Sequence, residues 1–287
     1  MTTVRIGTAG WSYRDWEGVV YPPGSGRSFD RLAYLSGFFD TIEVNVTFYR
    51  LPEPRFTGDW VCRTASNPDF RFTVKLHRNF THDPDEQSPG DVRKWKAGIA
   101  PLRDADRLGA VLAQFPYSFH CTGENRRRLA ELADRFPENP LVIEVRHRSW
   151  DQPEVFRFLK DLGLGYCVID QPRVSYSILP LNSATSPVGY IRLHGRNVRD
   201  WFRPNAGRDA RYNYLYTPGE IGEWRDRIAA IQPKVRELYV IANNHFRGQA
   251  ACNALQLASE VRGRRVPVPP ALADAYPELK EIAGKRK

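Results

Sequence analysis

The chain has 287 residues, of which 41% are hydrophobic and 26% are charged, and its formal net charge is +9. This length suits a single α/β barrel of about 250 residues, and the composition excludes disordered and fibrous classes of protein. The sequence contains no run of about 18 apolar residues and no signal-peptide pattern at its start. We therefore predict a basic, cytoplasmic protein that makes no contact with a membrane.

The sequence predicts neither a metal site nor a cofactor. Its cysteines (Cys62, Cys121, Cys167 and Cys252) lie far apart and form no CxxC pair, which is typical of reduced thiols. The histidines show no HxH or HExxH spacing. A Walker loop, a Gly-x-Ser-x-Gly elbow and a nicotinamide fingerprint are all missing from the sequence.

Strand patterns and helix patterns alternate along the chain. Strands are predicted at residues 4–10, 41–49, 71–76, 108–115, 141–146, 165–170, 188–195 and 237–244. Helices are predicted at residues 28–40, 54–66, 91–106, 124–136, 153–162, 218–231 and 248–261. The last-but-one helix begins at a capping box, Thr217-Pro218-Gly219-Glu220.

This alternation favours a (β/α)₈ barrel of the TIM-barrel type at residues 1–265, followed by a basic C-terminal tail at residues 266–287. An open doubly wound sheet is the alternative, although its Gly-rich turn after the first strand is missing. Residues 171–187 contain three prolines and no helical period, so we expect a loop in place of the sixth crossover helix. The long segments 11–27, 77–90 and 196–216 each follow a strand and should meet at one end of the barrel.

Polar residues recur on one face of the predicted strands. In the second strand Glu43 and Asn45 alternate with Ile42 and Val44, and the outer face of a barrel strand should be apolar. Glu43 and Asn45 should therefore point into the barrel. The same reasoning, applied near the other strand ends, selects Lys75, Gln114, Glu144, Arg146, Asp170, Arg192, His194, Asn243 and Asn244.

Burying an unpaired charge costs several kcal/mol or more, so these side chains must pair with one another, face solvent or bind a ligand. Internal salt bridges Glu43–Lys75 and Glu144–Arg146 are one interpretation. In the other, the surplus of Lys75, Arg146 and Arg192 over the two carboxylates binds an anionic group such as a phosphate or carboxylate.

Catalytic roles are predicted for Glu43, Lys75, Glu144 and His194. The histidine could move a proton near neutral pH, or it could be a strand-end residue bonded to backbone. The lysine could be an electrostatic anchor or, if desolvated, a Schiff-base nucleophile.

Aromatic residues follow several of the predicted strands. Trp11, Tyr13, Tyr49 and Trp150 are placed where they could contact a ligand in the loops above the barrel. Packing of those loops against the barrel is the alternative role. Together with Asn45, Gln114, Arg146, Asp170, Arg192, Asn243 and Asn244, they complete the predicted substrate-binding set.

Several motifs occur in an order that resembles the YecE-like family, also called domain of unknown function 72. They are IGTAGWSY at residues 6–13, EVNVTFY at 43–49, FTVK at 72–75, QFP at 114–116, EVRHRSW at 144–150, YIRLHG at 190–195, and Asn243-Asn244 followed by Asn253-Ala254. The resemblance covers residues 4–260. It implies a TIM-barrel-like fold with its site at the strand ends, and it implies no particular reaction.

Three functional hypotheses follow. The first is an enzyme that acts on a small anionic molecule such as a sugar phosphate or nucleotide, by hydrolysis, isomerisation or elimination. The second is a non-catalytic protein that binds a nucleotide or nucleic acid, which the positive charge allows but no motif supports. The third is a divalent-metal phosphodiesterase-type hydrolase with ligands drawn from Glu43, Glu144, Asp170 and His194.

Overall fold

The computed structural model describes residues 2–173, 176–201, 203 and 205–284. Eight parallel strands close into a barrel in chain order, and each strand pairs with the next until the last pairs with the first. The predicted (β/α)₈ architecture is therefore confirmed. The strands are β1 Thr3–Ala9, β2 Thr41–Val44, β3 Arg71–Lys75, β4 Leu108–Gln114, β5 Leu141–Glu144, β6 Gly165–Asp170, β7 Val188–Leu193 and β8 Glu237–Ala242.

Helices and short helical turns lie between and after these strands. They are α1 Arg31–Ser36, α2 Val46–Tyr49, α3 Pro54–Arg63, α4 Asp91–Asp104, α5 Gly123–Arg135, α6 Pro153–Asp161, α7 Val198–Trp201, α8 Arg208–Arg211, α9 Pro218–Ile231 and α10 Gln249–Arg262. The predicted capping box at the start of α9 is confirmed: the Thr217 side chain accepts a hydrogen bond from the Glu220 backbone N–H, and the Glu220 side chain accepts one from Thr217.

The sixth crossover carries no helix in residues 171–173 and 176–187, so the expectation of a loop is confirmed for those residues. The prolines remove backbone donors and restrict the preceding residues to extended conformations, which prevents helix formation.

The second strand is shorter than predicted. It ends at Val44, and Val46–Tyr49 forms the single helical turn α2, so the prediction of strand to residue 49 is wrong. The Thr47 hydroxyl lies 2.6 Å from the Lys75 carbonyl oxygen and 3.2 Å from that of Val44, and its single proton can be donated to either acceptor. Side-chain bonds of this kind compete with the strand ladder, and sequence alternation does not reveal them.

The chain after α10 folds back against the barrel. It forms β9 Val266–Pro267, α11 Pro270–Ala275, α12 Leu279–Ile282 and β10 Ala283–Gly284, in which Leu272 and Leu279 are completely buried. The domain boundary at residue 265 stays a prediction. The basic residues at 285–287 lie outside the described part of the chain.

Side chains that pair with one another fill the amino-terminal half of the barrel interior. Arg5 pairs with Glu237 at 3.2 Å, and the Tyr239 hydroxyl donates to the same carboxylate at 2.7 Å. Gly7 allows close approach of β1 to β2, because a Cβ there would lie 1.8 Å from the Thr41 carbonyl oxygen. This packing leaves the carboxyl-terminal half of the barrel as the place for a site.

In the described part of the chain, every helix is too short or too polar to cross a lipid bilayer.

Candidate functional site

The centre of the barrel interior is organised around Arg192 on β7. Its Nη2 donates to Glu43 Oε1 at 2.7 Å, and its Nη1 donates to Glu144 Oε2 at 2.5 Å and to Gln114 Oε1 at 3.2 Å. Arg192 is 2% exposed and both carboxylates are fully buried. One guanidinium therefore joins β2, β4 and β5 across the lumen. Only its Nε finds no partner among the described residues.

Tyr190, two residues before Arg192 on β7, adds to this cluster on the side nearer the amino-terminal end of the barrel. Its hydroxyl donates to Glu43 Oε2 at 2.9 Å and lies 2.7 Å from Thr73 Oγ1. Burial, with Glu43 beside it, raises the pKa of Tyr190 well above its usual value, so the phenol stays protonated. The functional prediction omitted Tyr190, although it shares the inward face of β7 with Arg192 and the period-two pattern could have found it.

Arg146 follows β5 and forms the outer edge of the cluster. Its Nε and Nη2 donate to Glu144 Oε1 at 3.1 and 2.9 Å, which matches one of the two salt bridges considered from sequence. Burial opposes ionisation of Glu144, but Arg192 and Arg146 outweigh it and hold the pKa of this carboxyl well below its usual range. Glu144 is therefore a permanent carboxylate at neutral pH.

Lys75, at the end of β3, does not form the salt bridge with Glu43 considered from sequence. Its ammonium instead lies 3.8 Å from the centroid of the Phe48 ring, and it forms no ion pair with a described residue. Burial, followed by the charge of Arg192, lowers the pKa of Lys75 to about 7. Lys75 is thus the member of the cluster that can change its charge near neutral pH.

His194, just beyond β7, is fully buried between Asn243 and Glu144. The Asn243 amide nitrogen lies 2.9 Å from Nδ1, so the ring proton belongs on Nε2, which faces Glu144 Oε1 at 3.5 Å. Burial lowers the pKa of His194 to about 3 in spite of the nearby Glu144. A neutral imidazole of this kind is a weak base, and the geometry suits it to orienting Glu144.

A pocket opens directly above this cluster, with a volume of about 330 Å³. Its lining consists of Gln114, Pro116, Tyr117, Arg146, Gln171, Ser177, Trp201, Arg211 and Tyr212. It is continuous with the cluster, because Gln114 bonds to Arg192 and Arg146 bonds to Glu144. Two arginines and no carboxylate are among its described lining residues, which makes the pocket cationic.

The β7–α9 connection supplies the roof of the pocket, and sequence reasoning did not identify its Trp201 and Arg211 as site residues. Trp201 stands 5.7 Å from the Arg146 guanidinium carbon and 5.6 Å from the Tyr212 ring. Arg211 Nε is buried and finds no partner in the described part of the chain. The segment was predicted to lie at this end, but a loop has no periodicity from which its inward residues could be read.

Two of the larger depressions differ from this pocket in the residues that line them. One, of about 840 Å³, lies between Pro22–Pro23 and the C-terminal segment and is mainly apolar. The other, of about 790 Å³, lies at the amino-terminal end of the barrel near Arg5 and Arg262. Neither shares a residue with the buried cluster around Arg192.

Asp170 does not join the cluster. It ends β6 on the outer face, where its carboxylate accepts from Arg196 at 2.9 Å and from the Trp224 indole at 3.2 Å. Burial raises its pKa even though Arg196 opposes this shift. The four residues considered as metal ligands are therefore not one group, and the described residues contain no set of three or more His, Cys, Asp or Glu placed to hold a metal ion.

The predicted aromatic residues lie outside the pocket lining. Trp11 packs edge-on against Trp60 at 5.7 Å, and Tyr13 stacks on His245 at 4.5 Å. Trp150 is fully buried, and its indole donates to the Phe119 carbonyl at 2.6 Å. These contacts match the loop-packing alternative.

The remaining predicted residues are also separate from the pocket lining. Asn45 is half-buried between β2 and α2, and Tyr49 is 67% exposed. The Asn244 amide donates to the Tyr214 carbonyl at 2.8 Å and to Asn253 Oδ1 at 2.9 Å, so it ties β8 to α10 and to the β7–α9 connection.

Comparison with known proteins gives one consistent result. Residues 5–276 match the family model described as "Protein of unknown function DUF72". A solved DUF72 family protein from Thermotoga maritima is 35% identical, with 91% of this chain and 99% of that chain covered and a TM-score of 0.80.

Two bacterial proteins are similar in sequence. The UPF0759 protein YunF of Bacillus subtilis is 29% identical over 88% of this chain and 93% of its own length. The UPF0759 protein YecE of Escherichia coli O157:H7 is 25% identical over 69% of this chain and 65% of its own length. These matches confirm the resemblance inferred from the motifs.

Proposed function

Because the chain belongs to the DUF72 family, whose description names no reaction, we propose a function from the site itself: the protein is an enzyme that acts on a small anionic substrate. A sugar phosphate or a nucleotide fits this description. The observation that carries the proposal is the cationic pocket above the buried cluster, whose described lining contains Arg146 and Arg211 and no carboxylate.

The anionic group binds to Arg146 and Arg211 in this proposal, and Arg192 has another role. Both terminal nitrogens of Arg192 are occupied by Glu43, Glu144 and Gln114. Arg146 uses Nε and Nη2 on Glu144, which leaves Nη1 for a ligand, and Arg211 Nε is buried without a partner among the described residues. Guanidinium groups bind phosphate and carboxylate oxygens through charge-assisted hydrogen bonds.

The rest of the pocket suits a substrate with a ring. Trp201, Tyr212 and Tyr117 supply aromatic walls, and Gln171 and Ser177 supply hydrogen-bonding groups. A volume of about 330 Å³ is at the small end of the range for ligand pockets. Such walls favour a sugar ring or a nucleobase attached to the anion.

In this proposal Lys75 is the general acid or base that transfers protons at neutral pH. Glu144 stays ionised and His194 stays neutral, whereas the pKa of Lys75 is about 7. A general acid or base works best when its pKa is near the working pH.

Isothermal titration with inorganic phosphate and with sulfate tests the anion site. Arg146→Gln and Arg211→Gln should each weaken binding about tenfold or more, since a hydrogen bond to a charged group contributes about 1.5–3 kcal/mol. Arg157→Gln is the matched control, because Arg157 is 72% exposed on α6 and pairs only with Glu154 in the described chain.

Unchanged phosphate affinity in both pocket variants would overturn the proposal. The nucleic-acid alternative makes a different prediction, namely tight oligonucleotide binding that falls steeply with salt and is insensitive to the pocket variants. The same titrations with an oligonucleotide therefore discriminate between the two functions.

A further inference from the structure

We propose that Lys75 is a nucleophile, and that the substrate carries an aldehyde or ketone with which Lys75 forms an imine. The inference rests on the proposed function, because the anionic group held by Arg146 and Arg211 would bring the carbonyl carbon to the lysine. It narrows the substrate class to anionic carbonyl compounds.

The surroundings of Lys75 differ from those of a structural lysine. Lys96 pairs with Glu138 at 3.0 Å, and Lys280 pairs with Asp274 at 3.4 Å. Lys75 instead places its nitrogen over the Phe48 ring and has no carboxylate partner among the described residues. Its side chain is buried, with 8% of the residue surface exposed, and the charges of Arg146 and Glu144 act on it.

The nearest carboxylates are already occupied. Glu43 accepts from Arg192 and Tyr190, and Glu144 accepts from Arg192 and Arg146. Arg192 therefore removes the partners that would keep Lys75 protonated. A buried lysine with a cation beside it is the arrangement that activates an amine as a nucleophile.

The charges around the lysine act on its pKa in opposite directions, and burial together with the cations has the larger effect. The groups that face it are Glu43 from β2, Glu144 from β5, Arg192 from β7, Arg146 from the segment after β5, and His82 from the loop after β3. Burial and Arg192 exceed the effect of the two carboxylates and lower the pKa of Lys75 to about 7. The free amine is therefore accessible near neutral pH, unlike that of an ordinary lysine.

Imine formation requires only the Lys75 amine and the substrate carbonyl. The lone pair of Lys75 Nζ attacks the carbonyl carbon, the C–N bond forms, and the carbonyl oxygen takes up a proton from the nitrogen. The resulting carbinolamine loses its hydroxyl together with the second nitrogen proton as water, which leaves a C=N bond. No oxidant, reductant or metal is required for this step.

Borohydride trapping tests the inference. The full-length protein is incubated at pH 7 with glyoxylate, a carboxylate-bearing aldehyde, and sodium borohydride, and the modification of each lysine is followed by peptide mass. We expect Lys75 to be modified at least about tenfold faster than Lys94, an exposed lysine on α4. Inorganic phosphate should slow the reaction at Lys75 and leave Lys94 unaffected.

Two comparisons separate failure of this inference from failure of the proposed function. If Lys75 and Lys94 are modified at equal rates while phosphate binding still depends on Arg146, Lys75 is not a nucleophile and the anion site is still supported. Fast modification of Lys75 that phosphate does not slow, and that acetaldehyde matches, would overturn the anionic substrate class. The Lys75→Arg variant, checked for folding by circular dichroism, should keep phosphate binding and lose the fast adduct.

Discussion

Arg192 and Glu144 form a buried ion pair across the barrel lumen, with Arg192 Nη1 2.5 Å from Glu144 Oε2 and both side chains shielded from solvent. The same guanidinium also binds Glu43. A cation between two carboxylates in a low-dielectric interior is stable only as a set, because each member compensates the desolvation of the others. The pairing within this set therefore determines which partners remain for the neighbouring cations Lys75 and Arg146.

Replacing Arg192 should therefore destabilise the fold strongly. Arg192→Leu leaves Glu43 and Glu144 buried with reduced compensation, and removal of one member of a buried pair costs about 3–5 kcal/mol. Urea unfolding monitored by circular dichroism measures the loss. Arg157→Leu removes an exposed pair on α6 and should change the unfolding free energy by less than about 1 kcal/mol. Equal small effects of the two substitutions would contradict the role assigned to Arg192.

Lys75→Met should stabilise the protein at low pH and lose that advantage at high pH. The pKa of Lys75 falls from 10.5 to about 7 on folding, so the folded state binds fewer protons between these values and stability rises with pH across this window. Below pH 7 the variant should gain a few kcal/mol, at about 1.4 kcal/mol for each pKa unit. Urea unfolding of both proteins at pH 6 and pH 10 tests this, and a difference independent of pH would be evidence against the lowered pKa.

His194 should remain neutral throughout the physiological range. Burial lowers its pKa to about 3 from an ordinary 6.5, and the stability contributed by the neutral ring is lost as pH falls from 6.5 towards 3. Long-range proton–nitrogen NMR spectra should show the Nε2-protonated ring unchanged between pH 5 and pH 8, with the His194→Gln variant identifying the signal. An imidazolium signal in that range would argue for a direct role in proton transfer.

Gly7→Ala should be far more damaging than a glycine change on a helix. A Cβ at Gly7 would lie 1.8 Å from the Thr41 carbonyl oxygen, and relieving that overlap requires β1 and β2 to separate. The expected loss is about 3 kcal/mol or more. Gly222→Ala in α9 meets no atom within 4 Å and should stabilise the protein by about 0.5–1 kcal/mol. Thermal unfolding of the two variants compares them, and similar melting temperatures would refute the steric argument.

Local patterns were sufficient for the inward direction of Glu43, Lys75, Glu144 and Arg192. A strand alternates its faces residue by residue, so a polar residue among apolar outward neighbours can be assigned to the lumen without knowledge of the rest of the fold. The same pattern misled at Tyr49, where the Thr47 side chain ends the strand with hydrogen bonds that alternation does not encode. It also misplaced Asp170, which ends a strand on the outer face beside Arg196.

The sequence by itself predicted the (β/α)₈ barrel, the inward direction of Glu43, Lys75, Glu144 and Arg192, and the resemblance to the family. Only the tertiary structure decided which charges pair, because Arg192 on β7 meets Glu43 on β2 across the lumen, and that distance depends on closure of the whole barrel. It also decided that Arg211 lines the pocket, since a loop residue has no period that reports its direction. Whether a donor nitrogen is free or occupied depends on three-dimensional distances, and the functions proposed for Lys75 Nζ and Arg146 Nη1 depend on that difference.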